Sequence, residues 1–246
     1  MNIINFSGGR TSAYMTKRLI DEGLTDYLVC FQNTGKEMPK TLDFINQCDK
    51  KWNLNIVWLE YRQPANFEIV NYETASRDSR PFDELLKQRP SGIPNQYFRF
   101  CTLELKINTL KRYLKSIGVI EYTSYNGIRY DEPSRWAKAQ AETELPLVKW
   151  KITKKDILEF WNKQDFDLDV IEPFGNCDCC FLKGKGKIMK IAKENPDLLK
   201  WWIDVEKKSG NTFKKEITYS QMLDLSTKQI DLFLDDPGFN CFCNID

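Results

Sequence analysis

The 246-residue chain predicts an α/β fold, a doubly wound, mostly parallel sheet with a helical C-terminal extension. Three observations carry this expectation. Short apolar runs alternate with segments of helical period, a glycine turn joins the first run to the first helix, and the C-terminal part keeps helical spacing rich in tryptophan. The expected boundary falls at residue 180. Residues 1–180 would form the α/β domain, and 181–246 a helical extension packed on it with a cysteine-bearing tail.

NIINF at 2–6 suits a buried strand, and a helix is expected over 11–22 after the turn SGG. YLVCF at 27–31 suits a second strand, Asn33-Thr34-Gly35 a turn, and Pro39 can open a helix reaching Trp52. A third strand is expected at 55–60. Sheets of this kind bind ligands beyond the carboxyl ends of their strands, and SGGRTS and NTG both fall there. The stretch 61–100 is irregular apart from a small helix at 82–88; its Ser76, Arg77, Asp78 and Arg80 could line a substrate mouth or form a solvated loop. Leu103, Ile107, Leu110, Leu114 and Ile117 recur at steps of three and four, which predicts an amphipathic helix, and a strand is expected over 119–125. Thr153 with Asp156 is a capping-box pattern opening a helix with Ile157, Leu158, Phe160 and Trp161. Helices are expected at 185–194 and 197–206, then a mostly helical stretch that loosens toward the end.

The 36 basic and 35 acidic residues nearly cancel, so composition makes no global case for nucleic acid or membrane. No apolar run approaches the roughly 20 residues of a membrane span, and no leader pattern opens the chain, so a cytoplasmic protein without membrane contact is expected. The sequence leaves a homo-oligomer open. Trp136, Trp150, Trp161, Trp201 and Trp202 suit packing between helices and sheet, with base stacking as the alternative. Lys183, Lys185, Lys187 and Lys190 could touch a nucleic acid, although such a run is commonly just solvated.

Chemistry is narrowed by the absence of histidine. The commonest general base near neutral pH and the commonest nitrogen ligand are both missing. A metal site must then rest on thiolates. Of the eight cysteines, Cys30 and Cys48 suit the core; Cys101 marks a loop-to-helix junction, and Cys177-x-x-Cys180 is a minimal chelating pair with Cys179 as bystander. Cys101, Cys177, Cys180 and Cys243, the last preferred over Cys241, would make a four-thiolate site suited to zinc or an iron–sulfur cluster.

SGGRTS is the second chemical signal. A glycine pair permits a tight turn, and the following helix start offers unsatisfied N–H groups and a partial positive charge to an anion. Ser7, Gly8, Gly9, Thr11 and Ser12 would cradle a phosphate, with Arg10 adding charge. Arg129, after Gly127 at a strand end, could grip phosphate or sulfate with its planar fork. Asp131 and Glu132 could orient the arginines or bind magnesium, and Lys106 shares a first turn with Cys101.

In this order the segments SGGRTS, Asn33-Thr34-Gly35-Lys36-Glu37, Cys101-Thr-Leu-Glu-Leu-Lys106 and Gly127-Ile-Arg129-Tyr-Asp-Glu132-Pro-Ser-Arg135 resemble the phosphoadenylyl-sulfate reductase-like family of the PP-loop superfamily, over residues 1–183. The resemblance implies a HUP-like doubly wound sheet that binds ATP or another adenosine nucleotide. Phosphate or sulfate would lie at Ser7, Gly8, Gly9, Thr11 and Ser12, with Thr34, Gly35, Glu37, Gly127, Arg129 and Arg135 near the nucleotide. Lys106, Arg129 and Glu132 are the catalytic candidates. Family members either activate a substrate as an adenylate or reduce a sulfonucleotide, and a sulfur-donor protein is a partner of that chemistry. The resemblance also favours a 4Fe-4S cluster over zinc. Two departures stand out. Arg10-Thr11 replaces the Lys-Asp of many relatives, which puts the magnesium ligand in doubt, and the tail reads Asn240-Cys241-Phe242-Cys243-Asn244 instead of Glu-Cys-Gly.

Overall fold

The computed structural model describes residues 1–90, 92–139, 143–170 and 177–228. Among these, β1 (Asn2–Asn5), β2 (Tyr27–Asn33), β3 (Val57–Glu60), β4 (Glu68–Val70), β5 (Thr123–Asn126) and β6 (Thr143–Glu144) form one sheet of order β4-β3-β2-β1-β5-β6. Every neighbouring pair is parallel except β3 with β4. This is the expected α/β architecture. The short edge strands β4 and β6 were not foreseen, because neither has enough residues for a readable alternation.

Alternation along the strands divides the apolar side chains between two faces. Ile4, Phe6, Val29, Phe31 and Trp58 face one core with residues of α1 (Arg10–Asp21), α2 (Pro39–Trp52) and, after α3 (Arg80–Lys87), of a later helix that supplies Trp161. Ile3, Cys30 and Leu59 face the other core, against Leu110, Tyr113 and Leu114 of α4 (Thr109–Ser116). After β5 come α5 (Pro133–Trp136), α6 (Pro146–Lys149) and α7 (Lys154–Trp161), the last opened by the Thr153–Asp156 capping box.

The segment before α4 corrects the expected helix. Thr102–Asn108 form a π-helix, whose i→i+5 pairing widens the turn. Leu105 is thereby buried with Tyr61, Phe82, Leu85 and Phe100, apart from the core that holds Leu110 and Leu114, while Leu103, Ile107 and Ile117 are exposed. The expected strand at 119–125 also shrinks. Gly118, at φ +80, closes the end of α4, and Val119 N–H still donates to Leu114 O at 2.9 Å, so pairing begins only at Thr123.

Helices α8 (Lys185–Glu194), α9 (Lys200–Ser209) and α10 (Tyr219–Lys228) share another core with Phe181, Ile188, Trp202, Phe213, Tyr219 and Met222. The Glu206 carboxylate ties α9 to the start of α10 and the loop before it, accepting from Phe213 N–H at 3.0 Å and Tyr219 N–H at 2.8 Å. Trp161 and Trp202 are fully buried, as packing residues should be. A clip joins this core to the turn after β2. Lys36 Nζ lies 2.8 Å from Asp178 and 4.9 Å from the Trp201 ring centre, and Trp202 Nε1–H donates to Asp178 at 2.8 Å. Among the described residues no helix is long and apolar enough to cross a membrane.

Candidate functional site

The glycine loop sits between β1 and α1. Gly8 has φ +82, and a Cβ there would come within 2.8 Å of Thr41 Cγ2, so both conformation and space call for glycine. Ser12 Oγ accepts from Ser7 N–H at 3.1 Å and from Ser7 Oγ–H at 2.9 Å, and lies 3.0 Å from Gly9 O as a donor. The N-cap Gly9 contributes no side-chain cap, and the first turn of α1 holds no acidic residue. The first amides of a helix have no acceptor within it, so this helix head keeps its positive end for a ligand. Thr11 is buried, and its Oγ1 has no hydrogen-bond partner among the described residues. Arg10 turns elsewhere. Its guanidinium grips Asp167 at 2.7 and 2.9 Å and Leu168 O at 2.7 Å, so its charge is spent on a carboxylate away from the loop.

Ser7 and Ser12 open into a cleft of about 1250 Å³ whose wall also holds Gln32, Lys106, Gly127 and Arg135. It lies at the carboxyl ends of β1 and β5, where the strand order changes direction, the usual ligand position in such sheets. Gly127 allows the end of β5 to approach α1, since a Cβ would stand 3.1 Å from Ser12 Cα. Sequence reasoning missed the floor of this cleft. Asn5, Gln32, Ser124 and Asn126 occupy the same sheet face on three adjoining strands, Asn5 Nδ2–H donates to Ser124 Oγ at 2.8 Å, and Gln32 Nε2 is buried without a partner among the described residues. The available signal was a polar residue at alternate positions of otherwise apolar strands.

Behind Arg135 stands an acid–base network. Arg129 is buried, with Nε–H donating to Asp131 at 2.8 Å and its backbone N–H to Glu132 Oε2 at 3.0 Å, and Glu132 also holds the Arg135 guanidinium. Burial alone would push the Asp131 carboxyl up; hydrogen bonds from Lys154 N–H and Arg129 outweigh it and hold the group below its ordinary value. Thus Arg135 reaches the cleft wall, whereas Arg129 and Glu132 support it from behind. The carboxylates that could have held magnesium are engaged by arginines and two backbone amides.

Across the cleft, the turn after β2 is built on Glu37. Its carboxyl accepts from Thr34 N–H at 2.9 Å and Thr34 Oγ1–H at 2.9 Å, and lies 3.9 Å from Lys106 Nζ. Burial raises the Glu37 pKa, against the opposing pull of Lys106 and Thr34. Gly35, at φ +75, packs under Ser79 and Pro81. Lys106 therefore links the Thr34–Gly35–Glu37 turn to the cleft. Cys177 Sγ lies 3.9 Å from Thr34 Oγ1 and 4.0 Å from Glu37 Oε1. Ser76 lies away from the cleft, holding the buried Glu60 at 2.6 and 2.7 Å, and Arg77 lies over Tyr72.

The expected thiolate site does not assemble among the described residues. No three Cys, Asp, Glu or His side chains there stand close enough to hold a metal ion. Cys101 and Cys180 pack against the apolar core of the C-terminal helices, Cys177 faces Thr34 and Glu37, and Cys243, like Cys241, lies outside the described residues. Cys30 and Cys48 are core residues, and burial pushes the Cys30 thiol up to about 12.

The chain matches the phosphoadenosine phosphosulfate reductase domain over residues 1–167. It is 31% identical over 210 residues to an uncharacterized nin region protein of Escherichia phage lambda, an alignment covering 80% of this chain and 71% of the phage protein. Two uncharacterized proteins of Methanocaldococcus jannaschii are 26% and 23% identical across 84% and 82% of this chain, which spans only 47% and 41% of their lengths. Proteins with this domain bind adenosine nucleotides. With its glycine loop at the carboxyl edge of a mostly parallel sheet, the chain belongs to the phosphoadenosine phosphosulfate reductase domain family of the PP-loop superfamily.

Proposed function

We propose that this chain is an enzyme that binds ATP or a related adenosine nucleotide and activates a second substrate by adenylylation or sulfur transfer. The single observation behind this reading is the head of α1. An uncapped helix start and a glycine turn adjoin a large cleft that Ser7 and Ser12 line, and the Thr11 hydroxyl in the same first turn has no partner among the described residues, a combination an oxyanion would complete. In this reading Ser7, Gly8, Gly9, Thr11 and Ser12 hold the phosphate end. Lys106 and Arg135 face it from the walls, and Arg129 and Glu132 fix Arg135. Developing negative charge then meets preorganised cations, which lowers the barrier electrostatically. In adenylylation, an acceptor oxygen attacks the α-phosphorus and the bond to pyrophosphate breaks. Calorimetric titration with ATP, AMP, APS and PAPS tests the binding, and pyrophosphate release on adding candidate acceptors tests the reaction. Absence of affinity for all four would end this reading.

A second reading, sulfonucleotide reduction, draws on the family match and on Cys177 beside Thr34 and Glu37. A thiolate would attack the sulfur of APS or PAPS, expelling AMP or its 3′-phosphate, and a second thiol would release sulfite as a disulfide forms. Sulfite production with thioredoxin separates the two readings. No step is assigned to a 4Fe-4S cluster or zinc, because the described cysteines supply no such donor set.

A further inference from the structure

The cleft continues well past the phosphate loop. Its outer part follows the π-helix and α4, where Leu103, Ile107, Lys111 and Lys115 succeed one another at steps of four and make one stripe along the wall. The eight residues of α4 alone extend the wall by roughly 12 Å at about 1.5 Å per residue. The volume of about 1250 Å³ also lies above the roughly 300–1,000 Å³ of a pocket for one small ligand. A nucleotide at the loop would therefore leave the outer part open.

The charge of this outer part is one-sided. Among the described residues, Arg99, Lys111, Lys115 and Lys138 line it with one acid, Glu121, while Lys106 and Arg135, further in, are paired with Glu37 and Glu132. The whole chain, by contrast, carries 36 basic and 35 acidic residues, so this is a local concentration and not a general excess. Lys111, Lys115 and Lys138 are exposed and make no ion pair with another described residue. Cations on opposing walls of a concave groove focus a field that attracts a polyanion. Between them the floor is neutral but rich in hydrogen-bonding groups, with Ser124 and Asn126 side by side on the sheet, and Tyr122 and the 84% exposed Ile120 add apolar surface at the outer end. Phosphodiesters suit the lysines, and the edges and faces of unpaired bases suit the floor and its apolar margin. Paired bases in a duplex would keep their edges from such a floor.

We propose that the outer half of the cleft binds single-stranded nucleic acid, leading it toward the phosphate loop. This goes beyond the nucleotide reading and does not depend on it, since the strand would bind without a nucleotide present.

The test is fluorescence anisotropy with a labelled single strand of roughly 12 nucleotides, as DNA and as RNA, and with the matching duplex, across about 50–300 mM salt. Nucleotide affinity is measured in parallel by calorimetry, so that the two proposals fail separately. The expected result is single-strand binding at least about tenfold tighter than duplex binding, with a log–log salt slope of roughly −2 to −3 for three or four phosphates. The triple variant Lys111→Glu/Lys115→Glu/Lys138→Glu should weaken strand binding more than about tenfold (~1.4 kcal/mol) and weaken nucleotide binding far less. If that variant does not fold, the corresponding triple alanine variant should show the same direction. The proposal is overturned by no strand binding at low salt, by equal affinity for duplex, by a folded charge variant that binds like wild type, or by displacement of the strand by polyglutamate at equal charge.

Discussion

Thr11 separates stability from ligand binding at the level of one atom. Its Oγ1 is buried without a partner among the described residues, so it adds nothing to the fold through hydrogen bonding. Replacing it with an isosteric methyl in Thr11→Val should leave the melting temperature unchanged or raise stability by up to about 1 kcal/mol. The same change should weaken nucleotide binding about tenfold, or ~1.4 kcal/mol. Calorimetry and thermal unfolding on one preparation check both halves, and a large fall in stability with unchanged affinity would assign the hydroxyl to the fold. Asp131 makes a prediction about pH. Its folded-state pKa lies below the ordinary value of 3.8, so in acid the folded protein binds fewer protons than the unfolded chain. Its stabilisation is complete above that ordinary value and is lost as pH falls through the folded one. The side chain is 37% exposed, so its partnership with Arg129 is screened and worth under about 1 kcal/mol. The stability gap between wild type and Asp131→Asn, measured by denaturant titration, should close between about pH 5 and about pH 2; a gap that is constant over that range would contradict the assignment.

Among the elements, the β1–α1 turn and the π-helix set the shape of the site. Gly8→Ala would place a Cβ 2.8 Å from Thr41 Cγ2 and 3.0 Å from Ile45 Cδ1 on a backbone at φ +82. A loss of roughly 1–3 kcal/mol is expected from the combined strain. Adding Thr41→Ser removes the colliding methyl but not the backbone strain, so chemical denaturation should show partial recovery. Full recovery would mean that φ is unimportant here. The π-helix has a different consequence. By shifting the register after Cys101 it buries Leu105 and leaves Leu103 and Ile107 on the cleft wall, so the periodicity of the sequence pointed to an apolar face that the wider turn divides.

For the whole molecule, one contact joins the turn after β2 to the C-terminal helices. Lys36 and Asp178 form a nearly buried ion pair roofed by Trp201 and Trp202. Removing one partner leaves the other charge buried, at a cost of about 3–5 kcal/mol. Asp178→Ala should therefore destabilise the protein by that amount and loosen α8, α9 and α10 from the sheet. Limited proteolysis should then cut near residues 177–184 faster than in wild type, and an unchanged cleavage pattern would mean that the apolar core alone holds these helices in place.

Local order was readable from local sequence. The first three strands, their alternating helices, the glycine turn and the Thr153–Asp156 capping box are each encoded within a few consecutive residues, where backbone geometry and periodicity act directly. What the tertiary structure decided depends on residues far apart in the chain. Asn5 meets Ser124 across 119 positions to make the cleft floor, and Arg10 meets Asp167 across 157, which diverts a charge from the phosphate loop. Sheet register and long-range pairing determine which polar groups are neutralised and which face the cleft, and spacing along the chain carries no record of either.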